Sequence, residues 1–229
     1  MQITYIHHSA FLAETESACL LFDWFEGALP PIPAEKPLYV LSSHVHGDHF
    51  SEDIFSLTHP NITFLLSRDI PEEAVPEELK QRTHFLHPRE TWTDSVLSVE
   101  TFLSTDEGVA FWCHVDGKQI YHAGDLNHWY WEGEEEQWNR DMTFRYRDEL
   151  NRMVGRRADV AFLPVDPRLG DWFYLGANDF MRYADAAHIF PMHFWGDFSV
   201  CARLKDHPCS GSYRNRIQTI KEKGQNFSL

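Results

Sequence analysis

The chain has 229 residues, and its 20 Lys and Arg stand against 35 Asp and Glu, a formal charge of −15. That balance disfavours a nucleic-acid backbone as partner, because phosphate binding rests on clustered cations, while a local site can still take a small anion. A hydrophobic share of 43% supplies a sizeable core, yet no apolar run nears the about 18 residues of a membrane span, so no membrane partner is expected. In chain order, Gln2–Ile6, Phe11–Glu14 and Cys19–Phe22 alternate or run apolar, with a polar turn at Glu16-Ser17, and read as short strands. Leu38–Leu41 and Ile62–Leu66 are the compact apolar runs of buried strands. Between them Ser51 is placed to cap a helix running to Thr58, which Pro60 ends. A second helix is predicted over Glu72–Gln81, interrupted or restarted at Pro76. Val96–Phe102, Val109–Val115 and Lys118–His122 form a predicted meander with Asp116-Gly117 as a hairpin turn. The longest helix candidate, Glu134–Met153, carries Trp138, Met142, Tyr146, Leu150 and Met153 on one stripe. Ala158–Val165 and His188–Met192 are predicted strands around a helix from Ala177 to Ala187, with Asn178 as its candidate cap. A last helix is predicted over Tyr213–Lys223, stopped by Gly224. Strands lead and helices follow in each half, which predicts an α/β chain with helices on the outer faces of its sheets.

No repeat, low-complexity tract or linker divides the sequence, so residues 1–229 read as one domain. Cys19, Cys113, Cys201 and Cys209 show no C-x-x-C spacing, and no signal-peptide pattern is present. The expectation is a cytoplasmic protein with reduced, idle thiols.

The densest chemistry is His44-Val45-His46-Gly47-Asp48-His49, three imidazoles and a carboxylate on a predicted strand-to-helix loop. Imidazole and carboxylate together are the ligand set for Zn²⁺ or a similar first-row divalent ion. The sequence has 14 His, so chance neighbours occur, but three His and an Asp within six residues is far rarer than a histidine-rich turn. Two weaker signals follow predicted strands: Gly124-Asp125 presents a carboxylate, and Pro191-Met192-His193 an imidazole. Alone, each is an ordinary turn. Together with the first cluster they supply a bridging carboxylate and enough imidazoles for a two-metal site.

In that order, His44-x-His46-x-Asp48-His49, Gly124-Asp125 and Pro191-Met192-His193 resemble the metallo-β-lactamase superfamily, and the likeness covers nearly the whole chain. The opening Ile6-His7-His8-Ser9-Ala10-Phe11-Leu12 and Leu20-Leu21-Phe22-Asp23 are similar to its first motif. The resemblance implies a four-layer αβ/βα sandwich with a dinuclear site at one edge of the two sheets. It implies His44 and His46 on the first metal, Asp48, His49 and His193 on the second, and Asp125 bridging both. Asp23 would support the ligand loop by hydrogen bonds. The superfamily's further His, between the first cluster and Gly-Asp, is missing. There the chain reads Thr101 to Ala110 with no His, and Asp106 is the best substitute by position, although it also reads as a turn aspartate ahead of Gly108. A carboxylate there would make the site more oxygen-rich. Of the nearby histidines, His114 reads as a strand residue facing away and His122 as a supporting one.

The plain core looks similar to the lactonase-like branch, set apart by the aromatic-rich segment 126–152. Asn127, His128, Trp129, Tyr130 and Trp131 follow the bridging Asp, so they are expected over the metal edge or else as packing for the next helix. Two divalent ions, Zn²⁺ with Mn²⁺ or Fe²⁺ as alternatives, would turn a bound water into hydroxide near neutral pH. Asp48 would orient that nucleophile or pass its proton, and His7 and His8 are expected to be a structural pair ahead of the alternative that one of them contributes from the first loop. The implied activity is hydrolysis of an ester, lactone or phosphoester of a small molecule, anionic ones included. The alternatives are a nuclease or phosphodiesterase on the same site, and a non-catalytic metal-binding or redox protein.

Overall fold

The computed structural model describes residues 1–229 as two mixed sheets lying face to face. The first six strands are β1 (Gln2–His7), β2 (Ala10–Glu14), β3 (Cys19–Phe22), β4 (Leu38–Ser42), β5 (Ile62–Ser67) and β6 (Thr83–Leu86), adjacent in chain order. β1 to β3 form an antiparallel meander, and β3 to β6 run parallel. The second sheet starts with β7 (Thr91–Thr93), β8 (Ser98–Leu103), β9 (Val109–Val115) and β10 (Lys118–His122), all antiparallel. It continues in parallel through β11 (Arg157–Pro164) and β12 (Asp185–Met192). β13 (Asn226–Ser228) closes the chain against β1. No helix is long and apolar enough to cross a membrane.

Alternation explains the two faces. Phe11 and Phe22 point inward from the first sheet and meet Phe162 of the second, with ring centroids 4.3 and 5.7 Å apart. Full burial of each such ring stabilises the fold by about 2–3 kcal/mol. The intervening residues face out: Leu21, Val40 and Phe64 pack under Phe50 and Ile54. On the second sheet Tyr121 faces out and stacks on Phe180 at 4.8 Å. The outer layer there is α1 (Glu136–Asn151), α2 (Leu175–Tyr183) and α3 (Ser199–Asp206), with the Tyr146 hydroxyl of α1 donating to Gly176 O of α2 at 2.9 Å. Met142, Tyr146 and Leu150 form the buried stripe of α1, while Trp138 stays 39% exposed.

The outer layer on the first sheet is thinner than expected. Ser51 does cap its segment, accepting from Asp53 N at 3.2 Å, but Glu52–Ser56 is a 3₁₀ turn. The predicted 72–81 helix is two 3₁₀ segments, Glu72–Ala74 and Glu77–Arg82, because Pro71 and Pro76 leave each too short for an α-helix. Two further expectations fail to tertiary contacts. The 177–187 helix ends at Tyr183, since Asp185 onward joins β11 as an eight-residue parallel strand, and Asn178 lies within α2 rather than at its cap. The 213–223 helix does not form: Gln218 N donates to Ile189 O at 2.7 Å, and Ile217 bridges Ile189, so the chain extends alongside β12. Strands β6, β7 and β13 and helix α3 were not among the expected elements.

Candidate metal centre

The parallel strands β3, β4, β10, β11 and β12 all end at one edge, where α/β sheets assemble sites from distant sequence. The residue just past three strands, His8 after β1, Asp23 after β3 and His193 after β12, takes the left-handed conformation, with φ of 51°, 44° and 59°. Such backbone costs roughly 1–2 kcal/mol per non-glycine residue and concentrates at functional sites. Glycine is required at two places beside them. Gly124 (φ +50°) sits so close that an added Cβ would come 2.6 Å from Ser43 Cβ, and one on Gly108 (φ +67°) would fall on the Ser43 carbonyl oxygen. These glycines let the ends of β8–β9 and β10 close onto the 44–49 loop, where Val109 N donates to Ser43 O at 2.9 Å.

The side chains then converge in two groups whose candidate donor atoms lie within 4.8 Å of one another: His44, His46, Asp106 and Asp125, and His8, Asp48, His49 and His193. Asp125 faces both. Its Oδ1 is 3.3 Å from His49 Nε2 and 3.4 Å from His193 Nε2, and its Oδ2 is 3.8 Å from His44 Nε2. Asp48 Oδ2 lies 3.3 Å from His8 Nε2 and 3.8 Å from His193 Nε2. Asp106 Oδ2 lies 3.6 Å from His46 Nδ1, and Glu107 approaches the other ring nitrogen at 3.5 Å.

These residues fit metal ions. Donors about 2.1 Å from a shared tetrahedral ion stand about 3.4 Å apart, the spacing of the shorter contacts here and too long for good hydrogen bonds. His8 Nε2, His44 Nε2, His49 Nε2 and Asp125 Oδ1 are buried with no hydrogen-bond partner. Such orphaned polar atoms are costly unless something else satisfies them. The second group is the more enclosed; in the first, His46 is 43% exposed and Asp106 45%.

The opposite ring nitrogens are fixed by carboxylates, which orients metal-binding imidazoles. Asp23, fully buried, accepts from Ser43 N and Ser43 Oγ, both at 2.7 Å, and from His49 Nδ1 at 2.7 Å. Burial opposes its charge, yet His122 and His49 hold its carboxyl below the usual range. His193 Nδ1 donates to buried Asp166 at 3.0 Å, and Arg168 Nε grips both Asp166 oxygens at 2.9 and 3.0 Å. Burial holds His8 and His44 down at about 4, so both are neutral donors at physiological pH. Burial likewise opposes ionisation of Asp48 and Asp125, but the surrounding imidazoles outweigh it and keep both below the ordinary carboxyl range. Asp106 is pushed up, by burial first and then by the Asp125 charge.

The structure therefore brings together every residue singled out in the sequence: His44, His46, Asp48, His49, Asp106, Asp125 and His193. Asp106 N–H bonds Ser104 Oγ in a turn, and its carboxylate lies with the candidate donors of the first group. His114 is exposed on β9, and buried His122 donates from Nε2 to Ser9 O and accepts at Nδ1 from Gly124 N. His8 is the correction: expected as structural, it joins the second group, and its place in the first motif was the available signal. Asp166 was missed, though it follows a strand end as Asp125 and His193 do. The 126–131 segment divides. His128 is buried against Asp179 and Thr143, while Trp129 packs on His193 at 5.3 Å and donates to Asp125 O at 2.9 Å. Trp129 and Trp131 also line a cavity of about 380 Å³ that opens on Asp106 and Asp125.

The profile of the beta-lactamase superfamily domain matches residues 2–141, more than half of the chain. A UPF0173 metal-dependent hydrolase of Pyrobaculum aerophilum is 34% identical over 210 residues, covering 85% of this chain and 84% of that one. Among solved structures, Igni18, a metallo hydrolase from Ignicoccus hospitalis, is similar with a TM-score of 0.63 and 18% identity over 100% of this chain and 98% of that one. CmlA, a diiron β-hydroxylase from Streptomyces venezuelae, gives a TM-score of 0.65 at 12% identity, over all of this chain and 54% of its own. By the matched profile and these relatives, the chain belongs to the metallo-β-lactamase superfamily, among its metal-dependent hydrolases.

Proposed function

We propose that the chain is a dinuclear hydrolase of small molecules, cleaving an ester, lactone or phosphoester. The observation that carries this reading is the Asp125 carboxylate, which presents one oxygen to His49 and His193 and the other to His44. One side chain thereby faces both donor groups, as a bridging ligand must. His44, His46, Asp106 and Asp125 would hold one divalent ion, and Asp48, His49, His193 and Asp125 the other, with His8 beside Asp48. When bound, the ions supply an ionised water near neutral pH and a Lewis acid for the scissile oxygen. Zn²⁺ is favoured by the affinity order, with Mn²⁺ or Fe²⁺ as alternatives.

The remaining work falls to the chain. Asp48, its carboxyl held below the ordinary range and 28% exposed, is the group to orient the attacking water by accepting its hydrogen bond. Asp23 and Asp166 hold the imidazoles of His49 and His193 in one tautomer. The cavity suits a small molecule, and the charge of −15 disfavours a nucleic-acid substrate. The test is reconstitution with Zn²⁺, Mn²⁺ or Fe²⁺ and assay on chromogenic esters, lactones and phosphodiesters. Turnover of at least one class, lost in Asp125→Ala, is the expected result. One observation favours a second reading: Asp106 gives the first group two oxygen and two nitrogen donors, a set suited to Fe²⁺. Oxygen uptake by the iron-loaded protein, with no hydrolysis of the panel, would favour that redox chemistry.

A further inference from the structure

The cavity beside the metal centre has two arginines on its wall, and they are not equivalent. Arg168 is committed. Its Nε grips both oxygens of Asp166, and its guanidinium lies 4.6 Å from the Trp195 ring centroid and 5.7 Å from that of Trp131. Its charge is paired with Asp166, although the side chain stays half exposed, so it serves to hold Asp166 against His193.

Arg145 is the opposite case. It projects from α1 into the same cavity and forms no ion pair within 4 Å; Nη2 donates to the main-chain oxygen of Thr105 at 2.6 Å. That bond tethers the guanidinium one residue from Asp106, at the more open donor group, and leaves its other N–H groups for a ligand. A guanidinium has five donors in a planar fork, so one backbone bond uses little of its capacity. The rest of the lining is partly apolar, with the carboxylates of Asp106, Glu107 and Asp125 beside it. Trp129 and Trp131 lie parallel within 6°, centroids 6.3 Å apart, and Trp138 and Met142 of α1 continue the surface. Trp138 remains 39% exposed although its helix neighbours on the stripe are buried.

We propose that Arg145 and the Trp129–Trp131–Trp138 wall form a subsite for an anionic small molecule with an apolar, aromatic or acyl body, whose scissile group lies at the metal centre. This rests on reading the centre as that of a hydrolase and adds the class of substrate. A carboxylate or phosphate would take the forked N–H groups of Arg145, while the body lies on the indole faces. Neutral and cationic analogues would lose the first contact and keep the second.

The experiment uses the full chain and two inert probes, 1-naphthylacetate and 1-naphthylacetamide, titrated calorimetrically with bound Zn²⁺ and again after chelation. In both states the carboxylate should bind about tenfold tighter than the amide. Arg145→Met should reduce that ratio to about twofold or less, and Arg145→Lys should keep most of it. Trp131→Ala should weaken both probes alike. A ratio unchanged by Arg145→Met overturns the proposal. So does an Arg145→Met variant that keeps the ratio while losing thermal stability, because the arginine would then only brace the Thr105 turn. If the chain takes up no Zn²⁺, the hydrolase reading fails, while the comparison in chelated protein still decides the role of Arg145.

Discussion

Asp23 and His49 are both fully buried, and His49 Nδ1 donates to the Asp23 carboxylate at 2.7 Å. The same carboxylate accepts from the backbone N–H and hydroxyl of Ser43, so one side chain fixes both the start of the 44–49 loop and the imidazole at its end. With Nδ1 committed to Asp23, Nε2 is the His49 atom turned toward the candidate centre.

Asp23→Asn should separate these roles. The amide keeps the shape but cannot accept all three bonds as a charge, so Zn²⁺ affinity should fall about 10–100-fold. The fold should also lose about 3 kcal/mol, the usual cost of removing one member of a buried charged network. Chelator competition reads the first and a urea melt the second. An affinity equal to the wild type would mean that the loop is held by other contacts.

Gly124→Ala tests the close approach of β10 to the ligand loop. An added methyl meets Ser43 at 2.6 Å, in a backbone region that alanine resists. We expect a loss of about 2–3 kcal/mol, combining overpacking and backbone strain. Gly117→Ala has the same handicap of φ, +70°, but open space around the methyl. It should cost less, and an equal loss in the two variants would show that only φ matters.

Acid should destabilise the metal-free chain through His8, His44 and His122. Burial places all three below the ordinary value of 6.5, at about 4 for the first two. Between those values the unfolded chain binds more protons than the folded one, so stability is present above pH 6.5 and lost as pH falls toward 4. A shift of that size is worth about 3 kcal/mol per imidazole as an upper figure. His49 is shifted the other way by Asp125 and Asp23 against the effect of burial, so its contribution changes only above pH 6.5 and does not offset the acid loss. Urea midpoints of chelated protein at pH 7 and pH 5 should differ in that direction; equal midpoints would contradict it.

Asp106 carries the prediction about metal choice. Asp106→Ala should loosen the first ion and leave the second. Asp106→His should restore it and shift preference toward Zn²⁺ over Mn²⁺. Competitive loading followed by metal analysis reads both, and an Asp106→Ala chain that loads like the wild type would reassign the position, with Glu107 next in line at 3.5 Å from His46.

What was legible in the sequence was what is locally dense. The 44–49 run, Gly124-Asp125 and the His193 motif each fall on the loop where they were read, and β3, β9 and β10 match their expected bounds residue for residue. Asp116-Gly117 forms its turn because both residues reach positive φ, 52° and 70°. What could not be read depends on partners distant in sequence. His8 looks like half of a structural pair until Asp48 and His193 are brought beside it. Asp166 and Arg168 acquire meaning only when β11 and β12 run parallel and set Asp166 behind His193. The segment after Tyr213 has helical residues, but Arg216 is drawn to Asp185 and Gln218 to Ile189, and these contacts outweigh propensity.

The central claim is that one carboxylate joins two metal positions. Metal content of the purified chain, measured by mass spectrometry after saturation and desalting, tests it most directly. The account predicts two divalent ions per wild-type chain and loss of both, or retention of less than one, in Asp125→Ala. A wild type that saturates at a single ion, or an Asp125→Ala chain that still holds two, would contradict it.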